Sequence, residues 1–345
     1  MTVLERRYRS QLLTGAPAAD AVAVVERLLA IQAQELRGAK LTIRARTSGL
    51  GASDVDAALD AGELIVSTLN RGTLHLVEPE AYRWLHRLTT PQLRTSSKRR
   101  LEQEGVSPAQ ADRGVKVIAK LIADRGPRTR AELREALDAA GVPTAAQALI
   151  HVIFAATLDG LIVRGPMRGG EHQFVLVTDW LGARADAFDE EASLAELARR
   201  YLAGHGPATA GDLARWAGIT LGRARRGLEA IASELDLDAA DGGLLALAAA
   251  PAAEGMPPPR MLGQFEPILL GWESRTEIVG AAAEAQSIVT SNGIFRPFGL
   301  VKGKAVATWR LQKGVPELAP FAPISKADRA ALEADGEDVA RFLAA

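Results

Sequence analysis

The chain has 345 residues and no cysteine. Disulfides and thiolate metal sites are therefore excluded. No apolar run approaches the length of a membrane span. The opening MTVLERRYRS has no apolar signal core, so the expectation is a soluble, cytoplasmic protein. The five histidines (His75, His86, His151, His172 and His205) show no metal-ligand spacing. No phosphate-binding loop, nucleophile elbow or nicotinamide fingerprint is present. Neither a metal nor a cofactor is expected. The five tryptophans are scattered singly, which suits packing better than a base-stacking platform.

What is present is a 48% hydrophobic chain, long enough for two or three domains or a row of small modules. Its net charge of −1 conceals an asymmetry. Residues 1–130 carry 21 Lys/Arg against 14 Asp/Glu, and the remainder carries 20 against 28. The stretch RWLHRLTTPQLRTSSKRR, residues 83–100, holds six basic residues and no acidic one. Such a run reads as phosphate-facing, with a solvated helix face as the ordinary alternative.

A weak repeat organises the middle. Gly126-Pro127, Thr129 and Leu133 recur at the same offsets as Gly206-Pro207, Thr209 and Leu213, 80 residues on. In each copy a helix ends at Gly-Pro, a threonine sits at an N-cap, and a short helix follows. In the first copy an apolar helix over 145–158 then leads to strands 161–164 and 173–177. The second copy continues with a helix over 220–235 and a half-legible strand over 244–248. The N-terminal region fits a third copy. It has a helix over 20–34 capped by Asp20, a short capped helix over 53–62, and strands 64–70 and 73–77 around the turn Arg71-Gly72. Helix, short helix, helix and two-stranded ribbon is a winged helix. After the linker Met256-Pro-Pro-Pro-Arg260 the pattern turns to strands: 261–270, 294–301, 305–311 and 318–321. Gly303 marks a tight hairpin, and an amphipathic helix over 326–343 closes the chain.

The expected class is α+β: three tandem winged-helix modules (1–100, 101–190, 191–255), then a β-rich, barrel-like C-terminal domain with a closing helix (256–345). Gln32-Ala33-Gln34 stands out at the predicted end of the first apolar helix. Two neutral amides aimed at one point can hold a water or polar ligand. In a continuing helix they would diverge by about 200°. A helix C-terminus with exposed glutamines is the alternative.

The stretches LLAIQAQELRGAKLTIRART (28–47), LNRGTLHLV (69–77), FVLVTDW at the end of the second ribbon, FEPILLGWESR (265–275) and KGKAVATWRL (302–311) resemble the AlkZ-like winged-helix DNA glycosylases, bacterial proteins linked to interstrand-crosslink unhooking and azinomycin resistance. The resemblance spans most of the chain. It implies a DNA glycosylase acting on double-stranded DNA that contains alkylated guanine; with no catalytic lysine beside Gln32-Ala33-Gln34 (Lys40 is the nearest) and no dimerisation helix evident, a monofunctional, monomeric enzyme is expected. Gln32 and Gln34 would be catalytic, with Glu35 in reserve. Two positions depart from the usual family Asp, namely Glu266 and Glu273. Candidate DNA contacts are Arg71, Lys98, Arg99, Arg100, Arg168, Lys302 and Lys304. The hairpin tip around Gly303 would probe the minor groove. Two other readings remain open: a non-catalytic DNA-binding regulator, and a protein that sequesters a genotoxin.

Overall fold

A computed structural model describes residues 2–183, 187–236, 243–252, 254–280, 285 and 287–345. The chain divides into two compact units, one of residues 1–55 with 191–345 and one of residues 56–190.

In chain order, α1 (Val3–Ser10) is followed by α2 (Ala21–Leu28), the two-residue strand β1 (Ile31–Gln32), α3 (Leu36–Arg44) and α4 (Ala52–Asp60). The Asp20 side chain caps α2 by accepting from the Ala23 amide at 2.8 Å, as the sequence predicts. The helix does not run to residue 34. Leu29 turns to φ +65° and the chain becomes extended. Leu28, Leu29, Ala30 and Ile31 are all buried, so no polar residue marks the break. A fully buried apolar run reads alike as helix or strand.

Strands β2 (Ile65–Leu69) and β3 (Thr73–Val77) form the expected hairpin, with Leu69 paired to Thr73. Helices α5 (Pro79–Thr89) and α6 (Leu93–Gln103) split the basic run between them. Next come α7 (Pro108–Arg125), α8 (Arg130–Ala139), α9 (Ala148–Leu158), β4 (Ile162–Arg168), β5 (Glu171–Leu176) and α10 (Val177–Trp180). The β4–β5 ribbon is longer than predicted and carries a register shift between Arg164 and Met167. Within residues 56–190 the strand order is β3-β2-β4-β5. Ile118 and Ile122 of α7, Leu133 and Leu137 of α8, Val152 of α9 and Phe174 of β5 share one core.

The repeat is visible in space. Helix α11 (Glu190–His205) ends before Gly206 as α7 ends before Gly126, and α12 (Ala210–Ala217) follows as α8 does. Thr129 and Thr209 each form a capping box, with Glu132 and Asp212 returning the bond. The residue after each Gly-Pro exchanges backbone hydrogen bonds with a later segment, Arg128 with Phe174 and Ala208 with Leu245. Helix α13 (Leu221–Ala230) stops short of the predicted 235, and a single 3₁₀ turn covers Ala232–Glu234. Over 244–248 there are only isolated bridges, at Leu245 and Leu247.

The C-terminal part is less strand-rich than predicted. Strand β6 covers only Arg260–Leu262. Pro267–Leu270 is a short helix, α14, and Thr276–Val279 forms α15. Strands β7 (Phe298–Val301), β8 (Lys304–Gln312) and β9 (Val315–Pro320) complete an antiparallel sheet in the order β6-β7-β8-β9. Four strands in that order leave β6 and β9 as edges, so the sheet is open and not barrel-like. The last helix, α16 (Lys326–Ala344), packs on it. Along β8 burial alternates, with Ala305, Ala307 and Trp309 inside, so the period of two fixes which face is covered.

Candidate active site

Strand β1 ends at Gln32 and the chain bends at Gln34, where the two side chains come together. Gln32 Nε2 donates to Gln34 Oε1 at 2.5 Å. Gln32 is 7% exposed, whereas Gln34 is exposed. The pair therefore presents one amide to solvent, backed by one held inside. Glu35 is half-buried at the N-cap position of α3 and makes no side-chain cap bond. An isolated amide pair cannot act as a strong base, but it can orient a water.

Helix α3 is fixed behind the pair by buried charge. The Arg46 and Glu266 side chains are both fully buried and meet at 2.5 Å. Arg46 also donates to the Gln11 carbonyl (2.6 Å), the Thr42 carbonyl (2.9 Å) and Gln11 Oε1 (3.0 Å). Thr42 donates its hydroxyl to the other Glu266 oxygen at 3.0 Å. With Gln11 Oε1 engaged by Arg46, its Nε2 faces His205 Nδ1 at 2.8 Å. That contact makes Nδ1 the acceptor and leaves the ring proton on Nε2. Burial pushes His205 down to about 3, so it stays neutral. Arg44 is anchored in the same way, donating to Asp335 at 2.8 Å and to the Met261 carbonyl at 3.0 Å. Sequence reasoning missed this framework. Its signal was the placement of Thr42, Arg44 and Arg46 within an otherwise apolar segment.

The second unit holds a polar hairpin that the sequence reading also passed over. Asn70 turns at φ +50° with its side chain fully buried, and neither amide atom finds a protein partner. Thr73 Oγ1 is buried without one as well, and the Tyr82 hydroxyl lies against Ser67. His75 Nδ1 donates to the Thr73 carbonyl at 2.9 Å. Burial, and then the Arg71 charge, push it down to about 3. It is a packed, neutral ring.

The predicted DNA contacts are dispersed. Arg71, Lys98, Arg99 and Arg100 are exposed on the second unit. Arg94 in the same basic run is tied to Asp159 at 2.6 Å. Arg168 is exposed but pairs with Glu132 at 2.7 Å. Lys302 and Lys304 are exposed on either side of Gly303. The close approach that Gly303 permits is internal: a Cβ there would lie 3.0 Å from the Tyr8 ring and 2.7 Å from Met256 Sδ. Tyr8 Oη donates to the Gly303 carbonyl at 2.6 Å. No cluster of His, Asp or Glu suited to a metal occurs among the described residues. No helix among them is long and apolar enough to cross a membrane.

A family model for AlkZ-like DNA glycosylases matches residues 25–342. The chain belongs to the AlkZ-like DNA glycosylase family. A curated relative, the interstrand DNA cross-link repair glycosylase of Streptomyces sahachiroi, is 26% identical over 355 aligned positions, covering 97% of this chain and 94% of the relative. The solved structure of the Streptomyces sahachiroi DNA glycosylase AlkZ superposes with a TM-score of 0.78 at 24% identity, covering 99% of this chain and 95% of that one. The AlkZ-like fold thus extends over the whole chain, both units included.

Proposed function

We propose that this chain is a monofunctional DNA glycosylase that excises bulky N7-alkylguanine from double-stranded DNA, interstrand crosslinks included. The observation that carries the reading is the Gln32–Gln34 amide pair. An N7-alkylated guanine is already cationic, so its glycosidic bond needs no further protonation. The protein has only to hold a water below C1′ and favour an oxocarbenium-like sugar, and oriented neutral amides supply that. Gln34 holds the water. Gln32 fixes the Gln34 amide from behind. Glu35 is the reserve base. A site without a strong base leaves undamaged bases alone.

Supporting the DNA partner are family membership, the exposed cations of α6, and a helix–helix–helix–ribbon order at 108–176 that fits a winged helix. We read three such modules, ending near residues 100, 190 and 255, before the C-terminal sheet, in a protein that works as a cytoplasmic monomer. The test is base release from a defined N7-methylguanine duplex and a crosslinked one. Gln34→Ala should abolish release with DNA affinity kept within about threefold, and Gln32→Ala should slow it by about one to two orders of magnitude. Full release by both variants would transfer the role to Glu35. Tight binding by the wild type with no release would leave a DNA-binding protein without this chemistry.

A further inference from the structure

Phe265 adopts φ +55°. For a bulky aromatic residue this is a strained, left-handed backbone, held only when the surroundings over-determine it. They do so here on both sides. The Gln264 carbonyl lies 2.6 Å from where a Cβ on Gly38 would stand, so the absence of a side chain on α3 is what admits it. Glu266 is clamped by Arg46 and Thr42. Both anchors lie on or just after α3, whose first residue follows Gln34 by two. Between them the Phe265 ring is left half-buried.

The ring does not stand alone. It lies 5.4 Å from the Phe295 ring at 37°. The Arg275 guanidinium sits 5.3 Å over Phe295. Arg275 is half-buried and makes no ion pair among the described residues. Burial and the neighbouring Arg215 charge both lower its pKa, which is the signature of a cation lacking its counter-ion. A strained aromatic and an arginine that share Phe295 as a neighbour offer a π-face and an anion site on one surface. A nucleotide displaced from a helix offers the complements of both, a base face and a phosphate.

We propose that Phe265, Phe295 and Arg275 form a nucleotide-binding surface, Phe265 stacking on an unpaired nucleobase of the DNA and Arg275 taking the adjoining phosphate. This rests on the DNA glycosylase reading. Stacking tolerates any base, because every base has a π-face. The surface therefore serves a displaced nucleotide without reading its identity.

The test is a duplex carrying a mismatched 2-aminopurine, whose fluorescence rises when the base leaves the stack. Wild-type protein should raise the signal, and Phe265→Leu and Phe265→Gly should reduce apparent affinity for this duplex by about five- to tenfold, with Phe265→Trp close to wild type. Affinity for a fully paired duplex should change less than about twofold. Arg275→Gln should lower the salt slope on the mismatched duplex by about one. Glycine adopts φ +55° freely, so Phe265→Gly should melt no earlier than wild type although it binds less well. A lower melting temperature in Phe265→Gly with an unchanged probe response would make Phe265 a packing residue. No wild-type fluorescence rise, or equal binding by Phe265→Leu, would overturn the proposal. Displacement of the probe by millimolar AMP would reassign the surface to free nucleotides. Base release from N7-methylguanine, measured in parallel, judges the glycosylase reading separately.

Discussion

Replacing Glu266 by Gln removes one charge from a pair that is wholly out of water. The shape hardly changes. Arg46 keeps its bonds to the Gln11 and Thr42 carbonyls and to Gln11 Oε1, but its charge loses the Glu266 carboxylate. Breaking a buried pair from one side costs about 3–5 kcal/mol, because the other ion is left buried and uncompensated. The pair also joins residues 1–55 to residues 191–345. For a unit of this size each kcal/mol moves the midpoint by about 2–4 °C, so Glu266→Gln should melt about 6–20 °C below wild type. Differential scanning calorimetry or circular dichroism at pH 7 reads this directly. The pair Arg46→Met with Glu266→Leu should recover most of the loss, since an apolar replacement of both ions removes the uncompensated charge. A midpoint within about 2 °C of wild type for Glu266→Gln, or a double variant as unstable as the single one, would refute the electrostatic argument.

Joint replacement of Lys98, Arg99 and Arg100 by Ala should lower the slope of log affinity against log salt by up to about three, equally on several duplex sequences; an unchanged slope would make that face of α6 merely solvated. Lys302→Ala with Lys304→Ala should slow excision more than it weakens binding to undamaged DNA, measured as kcat against Kd, and the Tyr8–Gly303 bond predicts that folding is unaffected. His75, His86 and His205 are pushed by burial to about 3, 4 and 3 from an ordinary 6.5. Their folded pKa values are depressed, so the unfolded chain binds more protons below pH 6.5. Stability is full above that value and is lost as pH falls toward 4. Melting temperatures taken between pH 7.5 and pH 4 should decline over that window, less steeply in His86→Gln.

Several helices were legible because their caps were local. Asp20, Thr129 and Thr209, caps read from the sequence, each accept from the third residue of their helix. The hairpins at 69–73 and 301–304 were legible from their turn residues. The break after Leu28 was not, since nothing polar interrupts the buried run and a positive φ at leucine has no sequence signature. The same break changes the meaning of the glutamines. They meet beyond α2, where the chain leaves a two-residue strand and bends, and not on a fraying helix turn. Residues 261–270 misread as one strand because Met261, Leu262, Ile268 and Leu269 are all buried while Gly263 and Pro267 divide them. Long-range partners were invisible altogether: nothing at Arg46 announces Glu266, 220 positions away.

The discontinuity of the first unit bears on the order of events at the ribosome. Arg44 meets Asp335 across 291 positions. At about 5–20 residues per second, its carboxylate is synthesised roughly 15–60 s after it. Residues 56–190 emerge complete in the interval and carry their own core. Arg44, a little after Gln32 and Gln34 in the chain, must wait, solvated, until Asp335 of the last helix leaves the exit tunnel. A nascent chain that stalls before residue 335 is therefore not a shorter version of the protein. It is a chain whose residues 56–190 are complete while Arg44 still lacks Asp335, its interior counter-ion.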